Sequence, residues 1–575
     1  MSRGPVVGID LGTTNSLVAI VDGAGVRILP NALGEDLTPS AVSADEGELL
    51  VGAAAQARAA THPEVTAVSF KRDMGTDRRF EIASRSFRPQ ELSGMVLASL
   101  KRDAEAALGQ AVEEAVITVP AYFNETQRQA TREAGEIAGF RVERLLNEPT
   151  AAAIAYGLHS RDREFRAVVL DLGGGTFDVT VLEIMEGVIE IQASAGDSRL
   201  GGDDFTRALA EALLEHQPDD VAAGIRRHPL AWSRVLAACE RAKAALSAEA
   251  SVEIALPDLP VGAGRYADIV QNLSREEAET LWEPLLERMK IPTRGALRDA
   301  GLAPRDCGEV LLVGGATRMP CVRRFAATLF QRMPSCHPQP ERVVALGAAL
   351  QAGLKSGSSA VEDLVVTDIA PFSLGIAIAT EGAGYQMPGT FSPILERGTV
   401  IPISRSRPYT TAADGQTEIL IEVYQGEHSL CRDNIKLGEL RIDGIPPAPA
   451  GAEAVDIRFT YDLNALLEVE ATLRSTGEKR TLLLSGSPGR LTPEQLEEAQ
   501  RAMARLKFHP RDALPNTTAL ARAEALFAEL RGADRERLAA AMAAFRGALE
   551  SQDQELIREQ RSLLDAVVGS LRGGV

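Results

Sequence analysis

The pattern of apolar and polar positions changes character twice along the chain. Over residues 1 to about 360, short apolar runs alternate with stretches of helical spacing. Strand-length runs occupy residues 6–9, 17–20, 115–119, 168–170, 179–182 and 310–313. Residues 125–139 place Ala130, Ala134 and Ile137 on one helical face, with Gly139 where a helix would stop. Strands interleaved with helices predict α/β layers. A polar Gly/Ser break at residues 355–359 is followed by the short string 363–368. That string has linker length, yet a flexible spacer has no need of Leu364, Val365 and Val366 together. From about 369 to 490 short β runs such as 418–424 and 456–461 alternate with turns, and Pro446, Pro447 and Pro449 confine their stretch to a loop or edge. This predicts an antiparallel β-sandwich. From Leu491 onward the pattern is helical, opening at Thr492-Pro493, with room for two or three amphipathic helices.

Composition narrows the picture. A chain of 575 residues exceeds one core. A net charge of −19 and a pI near 5.1 argue against nucleic acid or an anionic membrane as partner. Cys239, Cys307, Cys321, Cys336 and Cys431 are odd in number and lack CxxC spacing, so a disulfide framework or zinc site is not expected and a reducing compartment fits. No signal-like segment opens the chain and no apolar run reaches about 18 residues. The expected location is cytoplasmic.

The candidate chemistry lies in a repeated turn. The first copy reads Asp10-Leu11-Gly12-Thr13-Thr14-Asn15 and the second Asp171-Leu172-Gly173-Gly174-Gly175-Thr176-Phe177-Asp178, each between apolar runs. Glycines let backbone N–H groups approach phosphate without a Cβ in the way. The threonines add hydroxyl donors, and the strand-end Asp10 and Asp171 are placed to hold Mg²⁺ through waters, because magnesium takes a few carboxylates plus substrate phosphates. There is no GxxxxGK[ST] loop, and β-like residues follow each turn where a Rossmann helix would begin. Singly, each turn reads as a plain hairpin; two with matching Asp and Thr positions suggest one polyphosphate gripped from both sides.

Four further segments extend the reading: Val119-Pro120-Ala121-Tyr122-Phe123-Asn124 with Gln127-Arg128-Gln129, Asn147-Glu148-Pro149-Thr150, Leu200-Gly201-Gly202-Asp203-Asp204-Phe205, and Val313-Gly314-Gly315-Ala316-Thr317-Arg318-Met319. With the two turns they resemble the DnaK-type, seventy-kilodalton heat-shock chaperones, from about residue 5 to 490. The length and short tail are most similar to the HscC subgroup. The resemblance implies a duplicated actin-like ATPase domain (1–360), an interdomain linker (361–368), a β-sandwich peptide-binding domain (369–490) and a short α-helical lid (491–575). It implies hydrolysis of ATP to ADP and phosphate with Mg²⁺, allosterically controlling the binding and release of extended hydrophobic segments of unfolded clients. A J-domain cochaperone is implied as partner; whether an exchange factor is used stays open.

By the same resemblance, Asp10 and Asp171 organise Mg²⁺, and Thr13, Thr14 and Thr176 contact phosphate. Lys71 stands near the transferred phosphate, while Glu148 and Asp178 position the attacking water. Glu240, Lys243 and Ser247 cradle adenosine, and Gly201, Gly202, Gly314, Gly315, Arg318 and Glu341 complete the nucleotide site. Two departures stand out. Ala244 occupies the place of a base-stacking arginine, and Glu341 that of an aspartate. Ile376, Ile419 and Ile421 are expected to line the peptide pocket, with Ala379 and Ala412 as its arch. Pro120, Arg128, Arg132, Asp363, Leu364, Val365, Val366 and Asp368 are expected to couple the two domains, the linker docking when ATP is bound. The short tail is expected to close incompletely, or to pack its Ala/Leu faces on a partner helix. Without the family, Lys71 reads as a surface lysine, Glu148 as a helix-start charge and the isoleucines as core. A sugar-kinase-like phosphotransferase and an ATP sensor for one dedicated partner remain as other readings.

Overall fold

The computed structural model describes residues 4–45, 47–82, 85–157, 164–185, 188–355, 365–382, 385–462, 467–484, 492–505, 513–551 and 553–572. Two sheets of like design form the first part of the chain. In the first, Val6–Asp10 pairs antiparallel with Asn15–Asp22 on one side and parallel with Glu114–Val119 on the other. In the second, Phe165–Leu172 pairs antiparallel with Phe177–Met185 and parallel with Glu309–Val313. Each repeated turn is therefore the tip of a hairpin whose leading strand also carries a parallel neighbour. Runs such as Glu114–Val119 are buried on both faces, as parallel strands covered by helices must be. Helix Val343–Lys355 packs on the first hairpin and on helix Glu148–Ala155.

The helix read from residues 125–139 is Glu125–Ile137. The Asn124 carboxamide oxygen accepts the Gln127 N–H at 2.9 Å, the Gln127 side chain accepts the Asn124 N–H at 3.0 Å, and Gly139 adopts φ +81° beyond the end.

The apolar string does not hang free. Val365–Ile369 adds to the second sheet, parallel to Val188–Asp197 through the partners Val188↔Val365, Ile189↔Val366 and Glu190↔Thr367. Its far end pairs antiparallel with Val400–Ile401. Asp363 and Leu364 lie outside the described residues, as do the side chains of Val365 and Val366.

Beyond it, two four-stranded antiparallel sheets share one core. One runs Tyr385–Leu395, Leu374–Gly382, Glu418–Gln425, Ile435–Asp443; the other Ile403–Thr410, Ala454–Tyr461, Leu467–Leu473, Lys479–Leu484. Val455, Ile457, Phe459 and Tyr461 alternate inward along one strand to meet Leu374, Ile376, Ile421 and Val423 from the other sheet.

Among the described residues four helices follow rather than two or three: Pro493–Arg505, Leu514–Phe527, Gly532–Ser551 and Gln554–Arg572. Local turn chemistry divides them. Gly532 takes φ +57°, and the Asp553 carboxylate accepts the Glu555 N–H at 2.9 Å to start the last helix. The first packs Leu496, Ala499 and Met503 near Ile137. The other three make a bundle around Leu526, Leu538, Phe545 and Leu564. No helix among the described residues is long and apolar enough to cross a membrane.

Candidate active site

The two hairpin tips meet. A Cβ built on Gly174 would lie 1.8 Å from the Thr14 hydroxyl oxygen, and one on Gly175 would lie 2.6 Å from the Thr13 side chain. Glycine is required here because only bare backbone lets the tips come this close. Between them opens a cleft of about 270 Å³. Of the sequence-predicted nucleotide residues, Asp10, Gly12, Thr13, Thr14, Asn15, Gly173, Gly174, Thr176, Gly202, Gly314, Gly315, Arg318 and Glu341 line it, together with Lys71, Glu148 and Asp171. Glu240, Lys243 and Ser247 line its other end, with Ala244 beside them. Gly175, Gly201 and Asp178 do not line it. Gly201 instead packs on the Gly174–Gly175 backbone, where a Cβ would approach to 2.5 Å.

Opposed charge is buried at the deep end. Lys71 is only 3 % exposed, and its Nζ donates to Glu148 Oε1 at 2.7 Å. Thr118 donates to Asp10 Oδ1 at 3.1 Å, and the Tyr122 N–H donates to Asp178 Oδ1 at 3.0 Å. Burial, reinforced by the nearby Glu148 charge, pushes Asp10 and Asp178 up to about 7. The same causes, with Asp178 and Asp10 adding repulsion, hold Asp171 well above the usual carboxylate range. Four buried carboxyl groups around one ammonium favour added positive charge. The Thr14 hydroxyl is buried without a hydrogen-bond partner among the described residues. These features fit a phosphate carrying Mg²⁺. Among the described residues no group of three or more His, Cys, Asp or Glu is placed to form a metal cage.

The two halves are also tied across the cleft. Ser69 donates to Asp203 Oδ2 at 2.8 Å, and Arg72 Nη2 to Asp204 Oδ2 at 2.5 Å. At the far end Lys243 Nζ donates to Glu240 at 2.7 Å and to the Gly202 carbonyl at 2.9 Å. Glu341, in place of the shorter aspartate, accepts from Arg318 Nη2 at 2.9 and 3.0 Å. Leu37, Asp203, Ala316, Met319, Pro340 and Val344 also line the cleft. Periodicity could not single them out, since each lies in a turn, loop or helix whose facing depends on the fold; only Asp203, Ala316 and Met319 sit within recognised motifs.

Both halves of the chain meet at helix Glu125–Ile137. Asn147 Nδ2 donates to both Asp368 carboxylate oxygens at 2.7 Å, while Arg128 Nη2 donates to Asn147 Oδ1 at 2.7 Å. Arg128 is buried rather than an exposed helix arginine; Arg132 donates to the Val142 carbonyl at 3.1 Å, and Pro120 is buried. Tyr122, whose amide holds Asp178, packs its ring on Phe372 with centroids 4.7 Å apart. Arg397 pairs with Asp299 at 3.1 Å. In the sandwich Ile376 and Ile421 are buried in the shared core, Ile419 is half-buried against it, and Ala379 and Ala412 are exposed.

The chain matches the family model described as Hsp70 protein over residues 6–84 and 77–568. It belongs to the Hsp70 family. It is similar to the "Chaperone protein DnaK" of Thermosipho africanus, 43% identical over 485 residues, which spans 84% of this chain and 80% of that protein. It is also 43% identical over 486 residues to the protein of the same name from Thermotoga petrophila, with the same coverage. As a member of the Hsp70 family the chain is an ATPase and an ATP-dependent molecular chaperone.

Two consequences follow from this geometry. Ala244 lines the cleft beside Lys243 and Ser247, at the position where the resemblance leads us to expect a guanidinium. Ala244→Arg is expected to tighten ATP binding by about 0.5–2 kcal/mol through cation–π stacking, read by equilibrium titration; unchanged or weaker affinity counts against it. Glu125 is fully buried under the sandwich. Its N–H donates to Gln425 at 3.0 Å, and Tyr461 Oη approaches its carboxylate at 3.4 Å. Arg128, Arg132 and Asp462 are its charged neighbours, and burial pushes its carboxyl up to about 7. Released into water it would return to roughly 4.3. Docking of the sandwich therefore binds a proton, and the contribution is complete below about 4.3 and lost as pH rises toward about 7. Glu125→Gln is expected to favour the docked arrangement at pH 8 by roughly two orders of magnitude, the linkage between a carboxyl at about 7 and one at roughly 4.3, and to flatten its pH dependence, measured by energy transfer between dyes on the two units. A docked fraction that falls equally with pH in both proteins would refute this.

Proposed function

We propose that this cleft is the ATPase centre and that its nucleotide state governs peptide capture by the sandwich. Asp10 and Asp171 would hold Mg²⁺ through waters. When bound, the ion supplies positive charge to phosphoryl oxygens in a site already crowded with carboxylates. Thr14 turns its unpartnered hydroxyl to phosphate, and the backbone N–H groups of the two glycine-rich tips do the same. Lys71 is released from Glu148 to stabilise charge on the transferred phosphoryl group. Glu148, freed of that pair, orients the attacking water with Asp178, which its hydrogen bond to the Tyr122 N–H keeps in place. Glu240, Lys243, Ser247, Arg318 and Glu341 hold the nucleoside.

The observation that carries this reading is the contact of the two tips, Thr14 against Gly174, over a buried Lys–Glu pair. Residues 1–360 form the ATPase domain, 361–368 the linker, 369–490 the peptide-binding sandwich and 491–575 the lid. Loss of the γ-phosphate would release Val365–Ile369 from its sheet and free the sandwich from helix Glu125–Ile137, through the Asp178–Tyr122–Phe372 contacts and the Arg128–Asn147–Asp368 chain. Ile376, Ile419 and Ile421 then line the groove, with Ala379 and Ala412 above it. Extended apolar segments of unfolded chains are the clients, bound through main-chain hydrogen bonds and one buried side chain. A J-domain protein in the cytoplasm is the expected partner.

Single-turnover hydrolysis of ATP, with and without an extended apolar peptide and a J-domain, tests the proposal. Phosphate release accelerated by both additions supports it. A rate indifferent to peptide, or a phosphorylated small-molecule product, overturns it.

A further inference from the structure

Helix Leu514–Phe527 and the turn that follows it touch both lips of the cleft. Thr518, Ala521 and Arg522 share one of its faces. Thr518 and Ala521 are buried yet lie outside the bundle's own core, and the helix packs on Ala53–Ala59 of the first half. Arg522 Nη2 donates to Glu35 Oε1 at 2.8 Å, two residues before Leu37 of the cleft lining. Just past the helix end the chain meets the second half. Arg234 Nη2 donates to the Ala528 carbonyl at 2.7 Å, satisfying a helix-terminal acceptor. Arg241 Nη2 donates to Glu529 at 2.8 Å, and Arg241 shares its helix with the cleft residues Glu240, Lys243 and Ala244. Arg531 completes the contact, donating to Asp258 at 2.9 Å and to Asp268 Oδ2 at 2.7 Å on the hairpin Ser251–Gly262/Arg265–Ser274. From Arg522 to Glu529 is about 10 Å of chain, short enough to fix the separation of the two lips.

We propose that the C-terminal bundle is a strap across the nucleotide cleft that slows nucleotide release, a function beyond covering a bound peptide. The physical argument is direct. A nucleotide leaves a two-sided cleft when its sides part. Parting the lips here breaks the contacts of Arg522 on one side, or those of Arg234, Arg241 and Arg531 on the other. The bundle has its own core, so it acts as a rigid brace, with Arg522 and the packed face of helix Leu514–Phe527 on the first lip and contacts to Arg234, Arg241, Asp258 and Asp268 on the second. The anchoring ion pairs are partly exposed, and salt therefore weakens them.

The inference rests on the cleft being the nucleotide site, and one experiment on the full chain separates the two. Fluorescently labelled ADP with Mg²⁺ is bound, then chased with unlabelled ADP in a stopped-flow instrument. Charge reversal in Arg522→Glu and in Arg531→Glu, combined, is expected to speed release by roughly tenfold, since each lost pair is modest and like charges then face each other. The swap Glu35→Arg with Arg522→Glu is expected to return release to the unaltered rate, and a loss of fold would not be rescued in this way. The neutral Arg522→Gln, with a melting temperature matching the parent, is expected to give an intermediate rate. Release at the parental rate in the reversed proteins, or a swap that fails to restore it, overturns the strap while leaving the nucleotide site intact. Failure of the unaltered chain to bind labelled ADP at all overturns both.

Discussion

Lys71→Met lowers single-turnover ATP hydrolysis by roughly 10²–10³-fold, the scale on which removal of one preorganised charge-stabilising donor acts. The reason lies in the burial of this ammonium group. It is held at 2.7 Å from Glu148 at the deep end of the cleft, away from the screening of water. Methionine keeps the length and apolar stem but removes the ammonium, whose Nζ lies 5.7 Å from the Phe123 ring centroid, so the loss is one of charge. Glu148 is left buried without its partner, which lowers the melting temperature without opening the cleft, because the Ser69–Asp203 and Arg72–Asp204 contacts are untouched. Nucleotide affinity is expected to change far less than the rate, since the other binding residues remain. Rapid-quench hydrolysis and equilibrium titration on the same preparation check both parts. Hydrolysis within threefold of the parent would remove Lys71 from the chemistry.

Gly174→Val acts on binding instead. Its first side-chain carbon would fall 1.8 Å from the Thr14 oxygen, so the hairpin tips must part. Both sets of backbone N–H groups then move from the phosphates together. A loss of roughly a hundredfold in ATP affinity, about 3 kcal/mol, is expected. The fold survives, because the strands behind each tip are buried in separate cores. Titration with ATP, beside a thermal melt, decides it: normal affinity with a normal melt would mean that the tips do not grip one ligand.

How far the sequence could be read depended on whether the signal was local. The helix at Glu125 was legible because Asn124 caps it and Gly139 ends it within a few residues. The hairpins were legible because the Asp-Leu-Gly turns interrupt strong apolar runs. The roles of Lys71 and Glu148 were not local at all. They are 77 residues apart, and only the wording of the surrounding motifs suggested that they act together. The apolar character of the string 363–368 is legible in the sequence, but not its register on Val188–Asp197. Its sandwich-side pairing with Val400–Ile401 was equally hidden. The division of the tail into helices is not legible in its length and composition, because the breaks at Gly532 and Asp553 rest on single positions in an otherwise helical pattern. Arg128, expected to couple the two domains, is buried in the fold with its guanidinium donating to Asn147, an environment that no local pattern marks.

The sequence by itself determined the order of α/β, β and α segments, the two phosphate-type turns with their paired aspartates, and the residue types available for the chemistry. All of these are written in spacings of a few residues, where backbone sterics and side-chain periodicity act. The tertiary structure decided which of those groups share a cleft, how far burial shifts Asp10, Asp171 and Glu125, and where the C-terminal bundle rests. Contacts such as Asn147 with Asp368, 221 residues apart, are set by how whole sheets and helices pack, because proximity and desolvation are properties of the assembled fold rather than of any segment.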